Sequence, residues 1–137
     1  MKKAVLTGSF NPVTSGHIYL LKQALRLFDK VYMVMLINPD KTYSLSVDER
    51  LGLMAEAVKG IDNAEIAAYE GYAADYVKSV GADVMIRGIR DYRDLEYELD
   101  LRRQNLDYGG IDTMFILTDD AHRHISSTAV RQKGNEG

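Results

Sequence analysis

Four short segments of this chain carry residue types suited to holding phosphate. The first is Gly8-Ser9-Phe10-Asn11-Pro12-Val13-Thr14-Ser15-Gly16-His17. An apolar run, Ala4-Val5-Leu6, precedes it, and apolar residues recur after it at Ile18, Leu21, Leu25 and Phe28. This pattern reads as a buried strand, a small-residue turn and an amphipathic helix opening at Ser15-Gly16. Gly8 permits a tight turn or a close approach of backbone to a ligand. Pro12 keeps helix away from its own position. Free N–H groups and the helix dipole converge at such a junction and make it an anion site. His17 falls in the first helical turn, where an anion would lie. The second segment is the polar loop Asn38-Pro39-Asp40-Lys41, which follows another apolar run and carries a lysine. The third is Arg87-Gly88-Ile89-Arg90, read as following a buried strand. Arginine suits bidentate phosphate contacts, and Gly88 lets backbone approach a ligand. The fourth is Ser126-Ser127-Thr128, three hydroxyls at a helix start, of which N-capping explains one.

These groups hold and neutralise phosphate. The chain has no Walker A pattern and no G-x-G-x-x-G after its first strand, which argues against a P-loop enzyme and a dinucleotide site. No nucleophile–base–orienter triad stands out. Chemistry done by positioning and electrostatics, as in phosphoryl or nucleotidyl transfer, fits the set. His122 and His124 are two apart, which is not helical metal-ligand spacing, so they read as loop residues near a ligand. Arg90, Asp94, Tyr97 and Glu98 share one face of a predicted helix, read equally well as functional or as solvated. Leu95, Leu99 and Leu106 read as that helix's core stripe.

Alternating strands and helices must position these groups. Strands are expected at residues 4–6, 31–37, 64–67, 84–86 and 113–117. Val31 to Ile37 is too short for a helix and suits a buried parallel strand. Ser46-Val47-Asp48-Glu49 is a capping box opening a helix with Leu51, Met54 and Val58 on one face. Further helices are expected at 71–80, stopped by Gly81, at 90–108, ended by Gly109-Gly110, and after Ser126-Ser127. The fold class implied is α/β: a Rossmann-like, doubly wound, five-stranded parallel sheet in a single domain. Ligands of such sheets bind beyond the carboxyl ends of the strands, near the switch in strand order. The four segments gather at those ends.

Bulk properties narrow the classes further. The 137 residues suffice for one domain with a sizeable core, read as residues 1–132, with 133–137 as a disordered tail. The net charge of −3 gives no expectation of nucleic-acid binding. The absence of cysteine excludes disulfides, thiolate metal sites and cysteine nucleophiles. No apolar run approaches the ~20 residues of a membrane span, and the start lacks a signal-peptide core, so a cytoplasmic protein without membrane contact is expected.

Thr14-Ser15-Gly16-His17 matches the T/H-x-G-H signature of the nucleotidyltransferase superfamily related to class I aminoacyl-tRNA synthetases, and Ile125-Ser126-Ser127-Thr128 matches its I-S-S-T/S motif. Within it the chain most resembles the bacterial phosphopantetheine adenylyltransferases. Gly8-Ser9-Phe10-Asn11-Pro12, Ile86-Arg87-Gly88-Ile89-Arg90, Asp94-Leu95-Glu96-Tyr97-Glu98 and Gln104-Asn105 carry that resemblance, over residues 4 to about 131.

The resemblance implies transfer of the adenylyl group of ATP to 4′-phosphopantetheine, giving dephospho-coenzyme A and pyrophosphate. A related transferase with another phosphorylated acceptor, or with CTP, is the alternative. By match to the motifs, His17, Lys41 and Arg90 are the catalytic residues. His17 acts as a neutral imidazole donor, favoured by its helix N-terminus. Ser9, Phe10, His17, Gly88, Ile89, Arg90, Glu98, His122, Arg123, His124, Ile125, Ser126, Ser127 and Thr128 bind ATP. Ser9, Lys41, Ala73 and Arg87 bind the acceptor. Mg2+ is the implied cofactor, held mainly by substrate phosphates and not by protein ligands. A homo-oligomer is implied, hexameric in the family. The sequence departs from the family at Ser9, where threonine is usual, and at Asn11, where aspartate is usual. The family continues for about another helix after the I-S-S block, so a shortened C-terminal helical region is expected.

Overall fold

A computed structural model describes residues 1–118. The elements run β1 (Lys3–Gly8), α1 (Ser15–Leu25), β2 (Lys30–Ile37), α2 (Val47–Ala57), β3 (Ala64–Glu70), α3 (Ala73–Ser79), β4 (Val84–Ile89), α4 (Tyr92–Gly109) and β5 (Thr113–Leu117). All strand pairs are parallel, in the spatial order β3-β2-β1-β4-β5. The expected doubly wound α/β sheet is therefore present.

The apolar runs of β1 and β2 follow from burial on both faces. Ala4, Leu6, Met33, Met35 and Ile86 face α1 and α2, and pack with Leu20, Leu21, Ala24 and Met54. Val5, Tyr32, Val34 and Met85 face the other way and pack with Val77 of α3. Strand order reverses at the β1–β4 pair, where Leu6 lies beside Ile86. A crevice opens beyond the carboxyl ends of these two strands, as the chain connections on either side diverge.

Three expectations need correction. The strand expected at 84–86 runs on to Ile89, because Arg87, Gly88 and Ile89 pair with Phe115, Ile116 and Leu117 of β5. Arg87 and Gly88 are thus strand residues and not a loop beyond a strand. Likewise β3 extends past Ala67 to Glu70, paired with β2 to its last residue. The helix expected from Arg90 starts at Tyr92, because Asp91 caps it by accepting the Arg93 N–H at 2.9 Å.

The core stripe of α4 is also different. Leu95 and Leu99 are 40% and 45% exposed, while Glu98 is buried. The helix turns inward along Glu98 and Asn105, whose side-chain amide reaches Met85 Sδ. Leu106 is half-buried. Gly109 lets α4 approach α3 closely, since a Cβ there would lie 2.7 Å from that of Ala74. Gly110, at φ 70°, then ends the helix in the left-handed conformation. The helix expected after Ser126-Ser127 and the tail at 133–137 lie outside the described residues. Among the described residues no helix is long and apolar enough to cross a membrane.

Candidate active site

The T-x-G-H segment is a helix cap. Thr14 is the N-cap of α1, one residue before the expected opening, and its Oγ1 accepts the His17 N–H at 3.4 Å. His17 reciprocates, its Nδ1 accepting the Thr14 N–H at 2.9 Å. This is a capping box in which imidazole replaces the usual carboxylate. In the neutral ring the proton then sits on Nε2. Burial, followed by the charges of Arg87 and Arg90, holds the His17 pKa below its ordinary 6.5. The direction agrees with that expected for His17, but the causes are burial and the two arginines and not the helix N-terminus.

His17 lines a cavity of about 390 Å³ at the strand-order switch, together with Thr7, Gly8, Ser9, Arg87, Gly88, Arg90, Asp94, Glu98 and Thr118. Arg87 crosses its floor. Its Nε and Nη2 donate to the two carboxylate oxygens of Glu98, each at 2.8 Å, and its Nη1 donates to the Thr7 carbonyl at 3.0 Å. Arg90 is mostly exposed and pairs with Asp94 at 3.1 Å. That pairing holds the Asp94 carboxyl below the usual range, against its partial burial.

A second cavity of about 690 Å³ adjoins the first and shares Gly8, Ser9 and Arg87 with it. It runs along Asn38, Pro39, Lys41, Tyr43, Tyr72 and Tyr97. Lys41 is exposed on its rim. Ala73 does not line this cavity; it is half-buried at the start of α3, against the sheet, while its neighbours Gly71 and Tyr72 form the wall. A smaller pocket is lined by Ile89, Arg90, Asp91, Tyr92, Leu95, Leu117 and Thr118.

The structure therefore brings together Ser9, His17, Arg87, Gly88, Arg90 and Glu98 around one cavity, and Ser9, Lys41 and Arg87 around its neighbour. The Phe10 side chain faces neither; it is 1% exposed and meets the His17 ring edge-on, with centroids 4.9 Å apart. Gly88 has a packing role that sequence reading did not assign. A Cβ there would come within 2.5 Å of Leu20 Cδ1, so the residue lets α1 pack against β4. His122, Arg123, His124, Ile125, Ser126, Ser127 and Thr128 lie outside the described residues.

Two further residues shape the site without having been singled out. Thr7, buried in β1, accepts from Arg87 through its carbonyl and its hydroxyl. Arg50, buried in α2, donates to the Ser9 carbonyl at 3.1 Å. Nothing in the spacing around Arg50 marks it; only its burial does. Asn11 Oδ1 accepts the Leu45 N–H at 3.1 Å and the Ser44 hydroxyl at 3.3 Å, which ties the β1 turn to the segment before α2. Among the described residues no cluster of three metal-ligating side chains occurs. The carboxylates lining the first cavity, Asp94 and Glu98, are each bound by an arginine.

The chain is similar to known proteins in sequence and in fold. The family described as cytidylyltransferase-like matches residues 5–133. Curated relatives named phosphopantetheine adenylyltransferase include those of Clostridium novyi, 38% identical over 96% of this chain and 83% of the relative; Christiangramia forsetii, 38% identical over 100% and 91%; and Chromobacterium violaceum, 40% identical over 96% and 81%. A solved lipopolysaccharide core biosynthesis protein from Thermoplasma volcanium superposes with a TM-score of 0.59 at 22% identity, over 87% of this chain and 97% of that one. At that identity the likeness is one of fold.

Proposed function

The chain belongs to the cytidylyltransferase-like family, with the phosphopantetheine adenylyltransferases as its close relatives, and we propose on that premise how its two cavities divide the substrates. It is a nucleotidyltransferase that moves the adenylyl group of ATP onto 4′-phosphopantetheine and releases pyrophosphate. ATP occupies the cavity at the strand-order switch. The acceptor occupies the neighbouring cavity, with its phosphate toward the shared wall. The observation that carries this division is the wall itself: Gly8, Ser9 and Arg87 border both cavities, so two phosphates can meet there.

In this reading a phosphate oxygen of the acceptor attacks the α-phosphorus in line, and the bond to the β-phosphate oxygen breaks. No side chain becomes covalently attached. His17, neutral with its proton on Nε2, donates to a non-bridging oxygen as charge builds there. Arg90 and Lys41 hold the ATP and acceptor phosphates from opposite sides. Arg87, already bound to Glu98 and Thr7, is a fixed donor that needs no reorganisation. The tyrosines at 43, 72 and 97 suit an uncharged amide arm with aromatic and phenolic surface.

Mg2+ belongs to the proposal as a cofactor. The donor set fits a metal held by substrate phosphates and water, since both carboxylates of the first cavity are tied to arginines. When bound, it would neutralise the departing pyrophosphate. Self-association is proposed too, supported by the exposure of Leu95 and Leu99 along α4. A single sedimenting species of monomer mass would overturn it. With ATP as a substrate, the cytoplasm is the compartment the reading requires.

Incubation with Mg2+, ATP and 4′-phosphopantetheine should yield dephospho-coenzyme A and pyrophosphate in equal amounts. Turnover with CTP or with glycerol 3-phosphate, and none with the first pair, would overturn the reading.

A further inference from the structure

Arg50 is 2% exposed, one of three buried polar or charged side chains among the described residues. The other two, Thr7 and Glu98, both bind Arg87. Arg50 stands apart from them. Its Nη1 donates to the Ser9 carbonyl at 3.1 Å and its Nε to the Ser46 carbonyl at 3.4 Å. Its guanidinium lies over the Tyr43 ring, 4.1 Å from the centroid. These partners are neutral, and among the described residues no carboxylate forms an ion pair with it.

Burying a charge with no counter-charge is costly, and a neutral side chain of the same size would fill the space at less cost. What the guanidinium supplies is direction. It ties α2 to the turn after β1 at the residue that borders both cavities. The next residue, Phe10, has φ 46°, which a bulky side chain rarely adopts and which surrounding contacts must hold. A trans peptide keeps its C=O and N–H antiparallel. Anchoring the Ser9 carbonyl toward α2 therefore aims the Phe10 N–H away from α2. The Asn11 contacts to Ser44 and Leu45 tether the same turn two residues later.

We propose that Arg50 is a positioning residue for adenylyl transfer: through the Ser9 carbonyl it sets the orientation of the Ser9–Phe10 peptide at the wall where the two phosphates meet. This rests on the functional reading above. Arg50 itself touches no substrate in it.

The test uses the full chain with Arg50→Met and Arg50→Lys. Methionine fills the space and removes the charge. In Arg50→Met, kcat should fall about 100-fold, as expected for misplaced reacting groups, with KM for ATP and for the acceptor within about threefold of wild type and the melting temperature unchanged. Arg50→Lys, with one donor in place of a fork, should recover part of kcat. Millimolar guanidinium ion should restore part of the activity of Arg50→Met. Wild-type kcat in a folded Arg50→Met, a loss confined to KM, or a kcat that merely tracks the folded fraction would each overturn the proposal. If wild-type protein makes no dephospho-coenzyme A, the functional reading fails, and the backbone amide resonances of Ser9, Phe10 and Asn11 decide the structural claim. Their displacement in Arg50→Met upholds Arg50 as the anchor of the turn, and unmoved resonances overturn it.

Discussion

The backbone N–H of Thr14 points at Nδ1 of His17, 2.9 Å away, so one imidazole caps α1 and presents its remaining nitrogen to the cavity side. The two roles are separable. His17→Ala loses both: it should cost about 1 kcal/mol of stability as a lost capping contact and at least ~100-fold in kcat as a lost transition-state donor. His17→Gln keeps an acceptor of the right reach for the capping box, so its melting temperature should stay near wild type while kcat remains low. A glutamine variant with near-normal kcat would show that Nε2 is not the donor.

His17 also gives stability a pH dependence with a definite sign, set by its burial and then by the charges of Arg87 and Arg90. The folded-state pKa of His17 lies below 6.5, the value of the unfolded chain. Below pH 6.5 the unfolded chain therefore binds more protons than the folded one, and stability falls with falling pH until the folded pKa is reached. Well above pH 6.5 both states hold His17 neutral and it contributes no slope. The acid limb of kcat should likewise lie below pH 6.5, because only the neutral ring accepts from Thr14. An imidazole titration followed by NMR with its midpoint at or above 6.5 would contradict both statements.

Asn11 stands where the sequence resemblance implies aspartate, and its contacts show what the turn asks of this position. What the turn uses is one oxygen, Oδ1, accepting from Leu45 and Ser44. A carboxylate can do the same, so Asn11→Asp should keep kcat within about threefold and stability within about 1 kcal/mol, the scale of one hydrogen bond. Asn11→Ala leaves the half-buried Leu45 N–H without that acceptor and should cost about 1–2 kcal/mol in denaturant unfolding. A large loss of activity in Asn11→Asp would mean that the position acts through charge.

The sheet was legible because its middle strands are continuous apolar runs, and continuous runs signal burial on both faces. Val31 to Ile37 is such a run, and β2 includes all of it. The orientation of α4 was not legible. Leu95 and Leu99 outcompete Glu98 on any hydropathy pattern, yet Glu98 is the residue that turns inward. The reason lies eighty residues upstream of Arg87 and eleven downstream, in Thr7 and Glu98, which jointly satisfy that guanidinium. Long-range polar pairing leaves no periodicity. Lys41 and Arg90 were legible from their place beyond strand ends, and Arg87 as a cation although it lies within β4; all three border the cavities. Arg50 was not, because a single arginine in an amphipathic helix reads as a solvated residue.

Breaking the Arg87–Glu98 pair should separate stability from activity. The side chains are only 18% and 8% exposed, so removing one partner strands the other. Glu98→Leu should lose about 3 kcal/mol or more. The double variant Arg87→Met/Glu98→Leu removes both charges and should recover most of that loss while remaining inactive. Thermal melts of the two singles and the double form a cycle whose coupling measures the pair. Additive losses would mean that Arg87 and Glu98 act independently.

Gly88 offers the sharpest contrast between a packing and a ligand-approach role. The Cβ of Gly88→Ala would lie 2.5 Å from Leu20 Cδ1, 3.1 Å from Cδ2 and 3.3 Å from Cγ. The whole isobutyl end is in the way, and Leu20, although buried, also lines the cavity at the strand-order switch, so any retreat would be into that space. Overpacking of this kind costs about 1–3 kcal/mol. Leu20→Ala alone should also destabilise, by about 2–5 kcal/mol, through the cavity it leaves. If packing against α1 is the reason for glycine, the double variant Gly88→Ala/Leu20→Ala should be no less stable than Leu20→Ala, because the added methyl enters vacated space. Urea unfolding of the four proteins reads this directly. If instead the two losses simply add, the methyl group meets something other than Leu20, and packing against that side chain is not the reason for glycine.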